Sequence, residues 1–404
     1  MKIYKNLAEA AILALQEIFQ KRQLANKTVE TTLRSNKKWG GRDRRFLAEQ
    51  IYEAVRWYRQ YYEVALGRAP KTTADWWQFM AAAWTLQGIA LPDWPELDGI
   101  DPQALLQRNS EIHLQRVIYA SIPDWLDSYG IEQLGETLWT KSITALNQPA
   151  KVVLRTNRLK TTRAKLLEQL DRLSIHAEAV GTAEAIVLDQ SKQLTKTDLF
   201  KEGLFEVQDY SSQQVAALLK PNQGAVVVDA CAGAGGKTLH LAALMQNKGQ
   251  IFSIDIDRYK LRELEKRVIR AGVKIVKTNL FQQGAKIEGH WLGKADYLLI
   301  DAPCSGSGVL RRNPDAKWRL SLDFIEEIQH TQQHILLEYP KICKKGGRMV
   351  YATCSIFPAE NERQIDWFLT KTEIGKEFEL LEQHTIYPQD EGFDGFYMAL
   401  LQRI

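Results

Sequence analysis

Asp229-Ala-Cys-Ala-Gly-Ala-Gly-Gly-Lys-Thr238 follows the apolar run Ala225-Val-Val-Val228. A strand that ends in a glycine turn and opens a helix is the first crossover of a parallel, doubly wound sheet. Gly233, Gly235 and Gly236 allow a tight turn and close backbone approach to a ligand, and the helix N-terminal amides face any negative group there. Asp255 comes 22 residues after Gly233, at the end of the next strand (251–257), where a carboxylate can accept both hydroxyls of a ribose. A nucleoside-containing cofactor is expected. A phosphate-binding P-loop is excluded, because the glycine required five residues before Gly236 is Cys231. A dinucleotide fingerprint starting at Gly233 wants glycine or alanine at the position of Thr238.

Strands and helices keep alternating downstream, with strands at 273–277, 296–303 and 346–355. Asp301-Ala-Pro-Cys304-Ser-Gly-Ser-Gly308 puts a carboxylate and a thiol at the carboxyl edge of one strand, and Tyr351-Ala-Thr-Cys354-Ser355 puts a thiol at the edge of the next. Ligands of doubly wound sheets bind outside these edges, so Asp229, Asp255, Asp301, Cys304 and Cys354 should converge on one crevice. A single cysteine there reads as an inert core residue. Two at adjacent strand ends beside a cofactor loop read as chemistry. No metal is expected, since the chain has no C-x-x-C pair and His330 and His334 lack a companion pair of ligands.

Upstream the texture differs. Eight of eleven Trp precede residue 150 and all four Cys follow residue 230, which argues for parts with different jobs. Leu47, Ile51, Val55, Tyr58 and Tyr62 recur at helical spacing as one buried stripe, and 91–102 reads as a loop. Residues 1–140 are expected to form an all-helical domain, 141–220 a small α/β module (strands 151–157 and 184–189 around a helix), and 221–404 a Rossmann-like doubly wound domain. The whole is ordinary globular composition, 45% apolar and 25% charged. No apolar run approaches the ~18–20 residues of a membrane span, residues 1–19 read as a folded helix and not a signal peptide, and free thiols suit the reducing cytoplasm. Net charge is only +4, but residues 21–45 carry nine basic side chains against two acids, and 151–165 carry six against none. Such stripes suit a polyanion, and equally a solvated helix face.

The three motifs, with Phe205-Glu-Val-Gln-Asp209-Tyr-Ser-Ser-Gln213, Arg311-Arg-Asn-Pro-Asp-Ala-Lys-Trp318 and Asp394-Gly-Phe-Tyr-Met-Ala399, resemble RNA (cytosine-5) methyltransferases of the Nop/Sun family over residues 145–404. The helical part is similar to the NusB-like RNA-binding domain of the family's bacterial small-subunit ribosomal RNA branch. The resemblance implies S-adenosylmethionine as cofactor, held by Cys231, Ala232, Gly233, Ala234, Gly235, Gly236, Lys237, Asp255, Asn279 and Asp301. It implies Cys354 as nucleophile and Cys304 as the residue assisting product release. Ala234 stands where the family usually has Pro, and Asn279 where it usually has Asp. On chemical grounds, Asp301 would stabilise charge at cytosine N3, and Lys237 or another cation would favour the Cys354 thiolate. RNA is the expected partner, ribosomal before transfer RNA. A nucleotide-dependent oxidoreductase would leave both thiols without a purpose, whereas a non-catalytic RNA-binding assembly factor fits the basic stripes equally well.

Overall fold

A computed structural model of the chain describes residues 3–181, 184–189 and 194–404. Met1 and Lys2, at the start of the expected N-terminal helix, lie outside the described residues. The described chain falls into two compact units, one running up to Gln148 and including Leu310–Ser321, the other formed by Pro149–Val309 and Leu322–Ile404.

The first unit is helical. Leu47, Ile51 and Val55 form the buried face of the helix Gly41–Arg56. The expected stripe does not continue through Tyr58 and Tyr62, because the backbone leaves helical geometry at Trp57 (φ −105°, ψ 24°) and restarts as Tyr58–Ala65. The restart turns Tyr61 and Val64 inward instead, leaving Tyr58 and Tyr62 half-buried. Leu310–Ser321, read from sequence as part of the 221–404 domain, groups with this unit for a clear reason. Trp318 packs edge-on against Tyr58 (centroids 5.4 Å apart) and donates from Nε1 to the Val55 carbonyl at 2.8 Å. The Lys317 ammonium, almost wholly buried, donates to the Arg56 carbonyl at 2.7 Å and to Asn147 Oδ1 at 3.1 Å.

The second unit holds two sheets. Strands β1 (Val152–Thr156), β2 (Ala177–Ala179), β3 (Ala185–Leu188) and β4 (Phe205–Val207) form an antiparallel sheet in the order β2-β3-β1-β4. Leu166 and Leu170 of the helix Arg163–Arg172 pack on it with Leu154, Ile186 and Phe205. Burying each leucine contributes about 1.5–3 kcal/mol. Strands β5 (Val226–Ala230), β6 (Gln250–Asp255), β7 (Val276–Leu280), β8 (Ala295–Asp301), β9 (Cys343–Thr353), β10 (Phe378–Ile386) and β11 (Phe396–Arg403) form a seven-stranded sheet in the order β10-β11-β9-β8-β5-β6-β7. Strands β5 to β9 pair in parallel, and the apolar runs of β5, β8 and the second half of β9 reflect burial on both faces, whereas β7 at the edge is polar and only partly buried. Strand order reverses between β5 and β8, and β5, β8 and β9 carry the three motifs at their carboxyl ends. The sheet is not wholly parallel, however: β11 runs antiparallel between β9 and β10. No helix among the described residues is long and apolar enough to cross a membrane.

Candidate active site

The glycine turn takes its shape from three positive φ values, at Cys231 (68°), Gly233 (55°) and Gly235 (84°). A Cβ on Gly235 would stand 2.5 Å from Leu264 Cγ, so the turn needs glycine there for space as well as for conformation. Asp255 anchors the turn from β6: its Oδ2 accepts from the Gly233 amide at 2.7 Å and its Oδ1 from the Asp257 amide at 2.8 Å.

Behind the turn stands the small sheet. Arg155 of β1, 3% exposed, donates to the Gly236 carbonyl at 2.6 Å and also to Gln208 Oε1. Arg267 donates to the Ala234 carbonyl at 2.8 Å and pairs with Glu206 of β4 at 2.8 Å. Arg155 thus fits neither reading of the 151–165 stripe, polyanion footprint or solvated helix face, because it is buried against the turn. Of that stripe, Lys151 donates to the Glu391 carbonyl, Lys160 to the Glu202 and Arg270 carbonyls, and Arg158 pairs with Glu184. Four of its six cations therefore serve the fold.

Cys231, Gly233, Asp255, Ile256, Lys260, Asp301, Pro303, His330, His334 and Tyr339 are among the residues lining a cleft of about 560 Å³. Of the ten residues expected to hold a cofactor, Cys231, Gly233, Asp255 and Asp301 are on its wall. Ala232, Ala234, Gly235, Gly236 and Lys237 build the turn and the start of its helix. Asn279 lies on β7 opposite Ile254, its Oδ1 buried without a hydrogen-bond partner. Asp229 does not reach the crevice. It is 1% exposed beneath the turn, its Oδ2 accepting from Thr238 Oγ1 at 2.5 Å and its Oδ1 unpartnered, and burial pushes its carboxyl up to about 7. Burial and the nearby carboxylates of Asp255, Asp301 and Asp229 push the Cys231 thiol far up, which makes it a poor nucleophile.

The other two thiols meet. Cys304 Sγ and Cys354 Sγ are 3.3 Å apart. The hydrogen bond with Cys354, and then burial, push the Cys304 thiol well above its ordinary range, so Cys304 holds its proton at neutral pH. Lys237 does not serve Cys354 as expected: its ammonium pairs with Asp301 Oδ2 at 2.6 Å and lies 5.0 Å from the centre of the Phe396 ring. The ladder continues past both strand ends, Ala302 N donating to the Ala352 carbonyl at 2.8 Å and Gly308 N to the Cys354 carbonyl at 2.9 Å. His330 and His334, weighed in the sequence only as metal ligands, are cleft residues one turn apart. Glu360, Ser305, Ser355 and Gln332, which the sequence reading passed over, form a buried network under the thiols.

Cys304 and Cys354 are not among the residues lining the cleft; they meet next to its wall residue Pro303. A mainly parallel sheet with a glycine turn at its switch point, an acid on the neighbouring strand and a thiol pair at the ends of the next two strands belongs to the Rossmann-like methyltransferase class. Comparison with known proteins refines this. The model for 16S rRNA methyltransferase RsmB/F matches residues 216–402, and the ferredoxin-like domain model of RsmF/B-like methyltransferases matches residues 122–195. The chain is 34% identical over 332 residues to Ribosomal RNA small subunit methyltransferase B of Serratia proteamaculans, covering 78% of this chain and 76% of that protein. It is 37% identical over 271 residues to the protein of the same name from Shewanella oneidensis, covering 65% of this chain and 63% of that one. A methyltransferase homologue from Pyrococcus horikoshii superimposes with a TM-score of 0.62 at 27% identity, covering 72% of this chain and 98% of that chain. The chain belongs to the RsmB/F methyltransferase family, the bacterial small-subunit ribosomal RNA branch of the Nop/Sun type.

Proposed function

We propose that this chain is an S-adenosylmethionine-dependent RNA cytosine-5 methyltransferase that acts on small-subunit ribosomal RNA through a covalent bond between Cys354 and cytosine C6. The observation that carries the reading is the 3.3 Å approach of Cys304 and Cys354 at the ends of adjacent strands beside the cleft. The names of the relatives support the ribosomal substrate. The exposed Lys27, Lys37, Lys38, Arg42 and Arg45 of the helical unit supply cations for an RNA backbone.

The cleft suits the cofactor. Its volume of about 560 Å³ falls within the usual ~300–1,000 Å³ for such sites. The space beside Gly233 is open, Asp255 presents a carboxylate for a ribose, and the half-exposed Ile256 offers an apolar face. Bound there, the cofactor supplies an electrophilic methyl group. Cytosine C5 is too weak a nucleophile to take it unaided. Addition of the Cys354 sulfur to C6 turns C5 into an enamine-like carbon and splits one hard step into two. Asp301, taking up a proton as the base binds, would donate it to N3 as negative charge builds there, and the Lys237 ammonium 2.6 Å away then balances the carboxylate left behind.

Release needs the C5 proton removed. Its electrons then re-form the C5–C6 double bond while the C6–S pair returns to Cys354. Once the Cys354 sulfur is bonded to carbon, the hydrogen bond that raises Cys304 most is gone, which favours Cys304, or a water beside it, as the base. The base must leave its stack to reach both sulfurs, which favours unpaired or distorted RNA.

The test is transfer from labelled S-adenosylmethionine to transcribed small-subunit ribosomal RNA and, in parallel, to transfer RNA, with wild type and Cys354→Ala side by side. 5-Methylcytosine in the ribosomal RNA only, abolished by the substitution, is the expected result. Methylation of transfer RNA alone, or another modified base, overturns the substrate or the chemistry. Intact ribosome assembly by Cys354→Ala without any transfer by wild type favours an assembly factor.

A further inference from the structure

Glu360 lies in the turn Pro358–Glu360 that follows the Cys354 strand, and it is completely buried. Its Oε1 accepts from Ser305 Oγ at 2.5 Å and from Ser355 Oγ at 2.6 Å, and its Oε2 accepts from the Ser305 amide at 2.6 Å. Gln332 Nε2 approaches Oε2 at 3.4 Å while donating to the Pro303 carbonyl at 2.9 Å. The Tyr351 hydroxyl holds the Glu360 carbonyl at 2.9 Å. Ser305 directly follows Cys304, and Ser355 directly follows Cys354. One carboxyl group thus accepts from the residue next to each thiol, on two loops about fifty positions apart in the chain. Among the described residues no cation pairs with it. Burying a carboxylate on hydrogen bonds alone costs more than an apolar side chain would, so stability does not explain the choice of residue.

We propose that Glu360 is the positioning residue that sets the distance between the two thiols. The inference rests on the methyltransferase reading for its meaning, since attack at C6 and proton removal at C5 address adjacent atoms of one base. A displacement of about 1 Å at either sulfur costs on the order of 10²-fold in rate. Burial pushes the Glu360 carboxyl up from the usual range, and its bonds from Ser305 and Ser355 act against that rise. Glutamine has the same shape. If its carbonyl oxygen takes the place of Oε1 and keeps both hydroxyls, its NH2 replaces Oε2 and meets the Ser305 amide donor to donor, which displaces the loop of Cys304.

The experiment measures the thiol separation directly and turnover beside it. Diamide takes two electrons and two protons from Cys304 and Cys354, joining them as a disulfide while its N=N bond becomes a hydrazine. In Glu360→Gln the rate of this disulfide formation is expected to fall at least about tenfold. The kcat for RNA methylation should fall about 10²-fold with KM for RNA and cofactor affinity within twofold of wild type. Ser305→Ala and Ser355→Ala, which each remove one arm, should show the same pattern more weakly, and they carry the test if Glu360→Gln fails to fold. Wild-type rates of both disulfide formation and turnover in folded variants overturn the proposal. So does a loss of turnover that merely follows lost cofactor affinity. If wild-type protein methylates no cytosine while the disulfide rate still depends on Glu360, the methyltransferase reading fails and the positioning role stands.

Discussion

Cys304 and Cys354 come from loops 50 residues apart and bring their sulfurs to 3.3 Å as free thiols. In the proposed mechanism Cys354 attacks, and the contact raises the Cys304 thiol so that it holds its proton until that attack has taken place. Replacing Cys354 by Ala should lower turnover by on the order of 10³-fold or more. Cys304→Ala should allow attack and methyl transfer but stall release, leaving RNA attached to the protein. A denaturing gel with labelled RNA distinguishes the two, because a slow-migrating band is expected only when Cys354 is present and Cys304 is absent.

The Lys237–Asp301 pair is the one ion pair described at the cleft wall, 2.6 Å long with Lys237 almost buried and Asp301 about one-third exposed. Lys237→Met should strand the carboxylate. Water access to Asp301 limits the cost to about 2 kcal/mol of stability, less than for a fully buried pair. Calorimetric cofactor affinity should fall together with Tm. An unchanged affinity would remove Asp301 from the site.

Asp229 makes stability depend on pH in an unusual direction. Its carboxyl titrates near 7 in the folded protein against an ordinary value of 3.8, so the folded state holds a proton that the unfolded state has lost. Stability from this group is therefore full below about pH 4, declines as pH rises toward 7, and is flat above. Asp229→Asn keeps an acceptor for Thr238 and removes the titration, which should stabilise the protein at pH 8 by roughly 2–4 kcal/mol. Urea unfolding at pH 5 and pH 8 checks it: the variant's gain should appear at pH 8 and shrink at pH 5.

Gly235→Ala combines a φ of 84° with a clash of 2.5 Å against Leu264 Cγ. The left-handed backbone alone costs about 1–2 kcal/mol, and relief of the clash moves the turn. Cofactor affinity should drop at least about tenfold, with less change for Gly233→Ala, whose Cβ would face open space. Equilibrium binding of the two variants provides the comparison.

The chemistry-bearing parts of this fold were legible because each is local. Apolar runs ending in Asp229, Asp255, Asp301 and Thr353 mark buried parallel strands, and a thiol just beyond such an end needs no distant information. The strand near 275 was read about three residues early, since Val273, Ile275 and Val276 are apolar before the pairing with β6 begins at Val276. Strand β10 was missed because it is an edge: Glu379, Glu382 and His384 face water there and leave no alternating pattern. Charge counting could not tell Arg155, buried against Gly236, from a cation waiting for phosphate. Glu360 was invisible for a different reason. Its meaning lies in Ser305, which only the folded sheet brings near.

The hold of Arg155 and Arg267 on the glycine turn also bears on how this protein can be taken apart. Asn157, just past β1, ties the small sheet to the helix Arg258–Ala271 that carries Arg267, donating to the Gly203 and Ala271 carbonyls at 2.8 Å each. The glycine turn is thus held in part by residues that precede residue 208: Arg155 of β1 donates directly to the Gly236 carbonyl, and Glu206 of β4 pairs with Arg267, which donates to the Ala234 carbonyl. A fragment beginning at residue 221 would keep every residue of the three motifs and lose the scaffold that shapes the first of them. The smallest piece expected to keep the turn in shape therefore starts at the small sheet, and a hybrid joined at the apparent seam before Val226 would inherit Cys304 and Cys354 without the support that Arg155 and Glu206 give the turn.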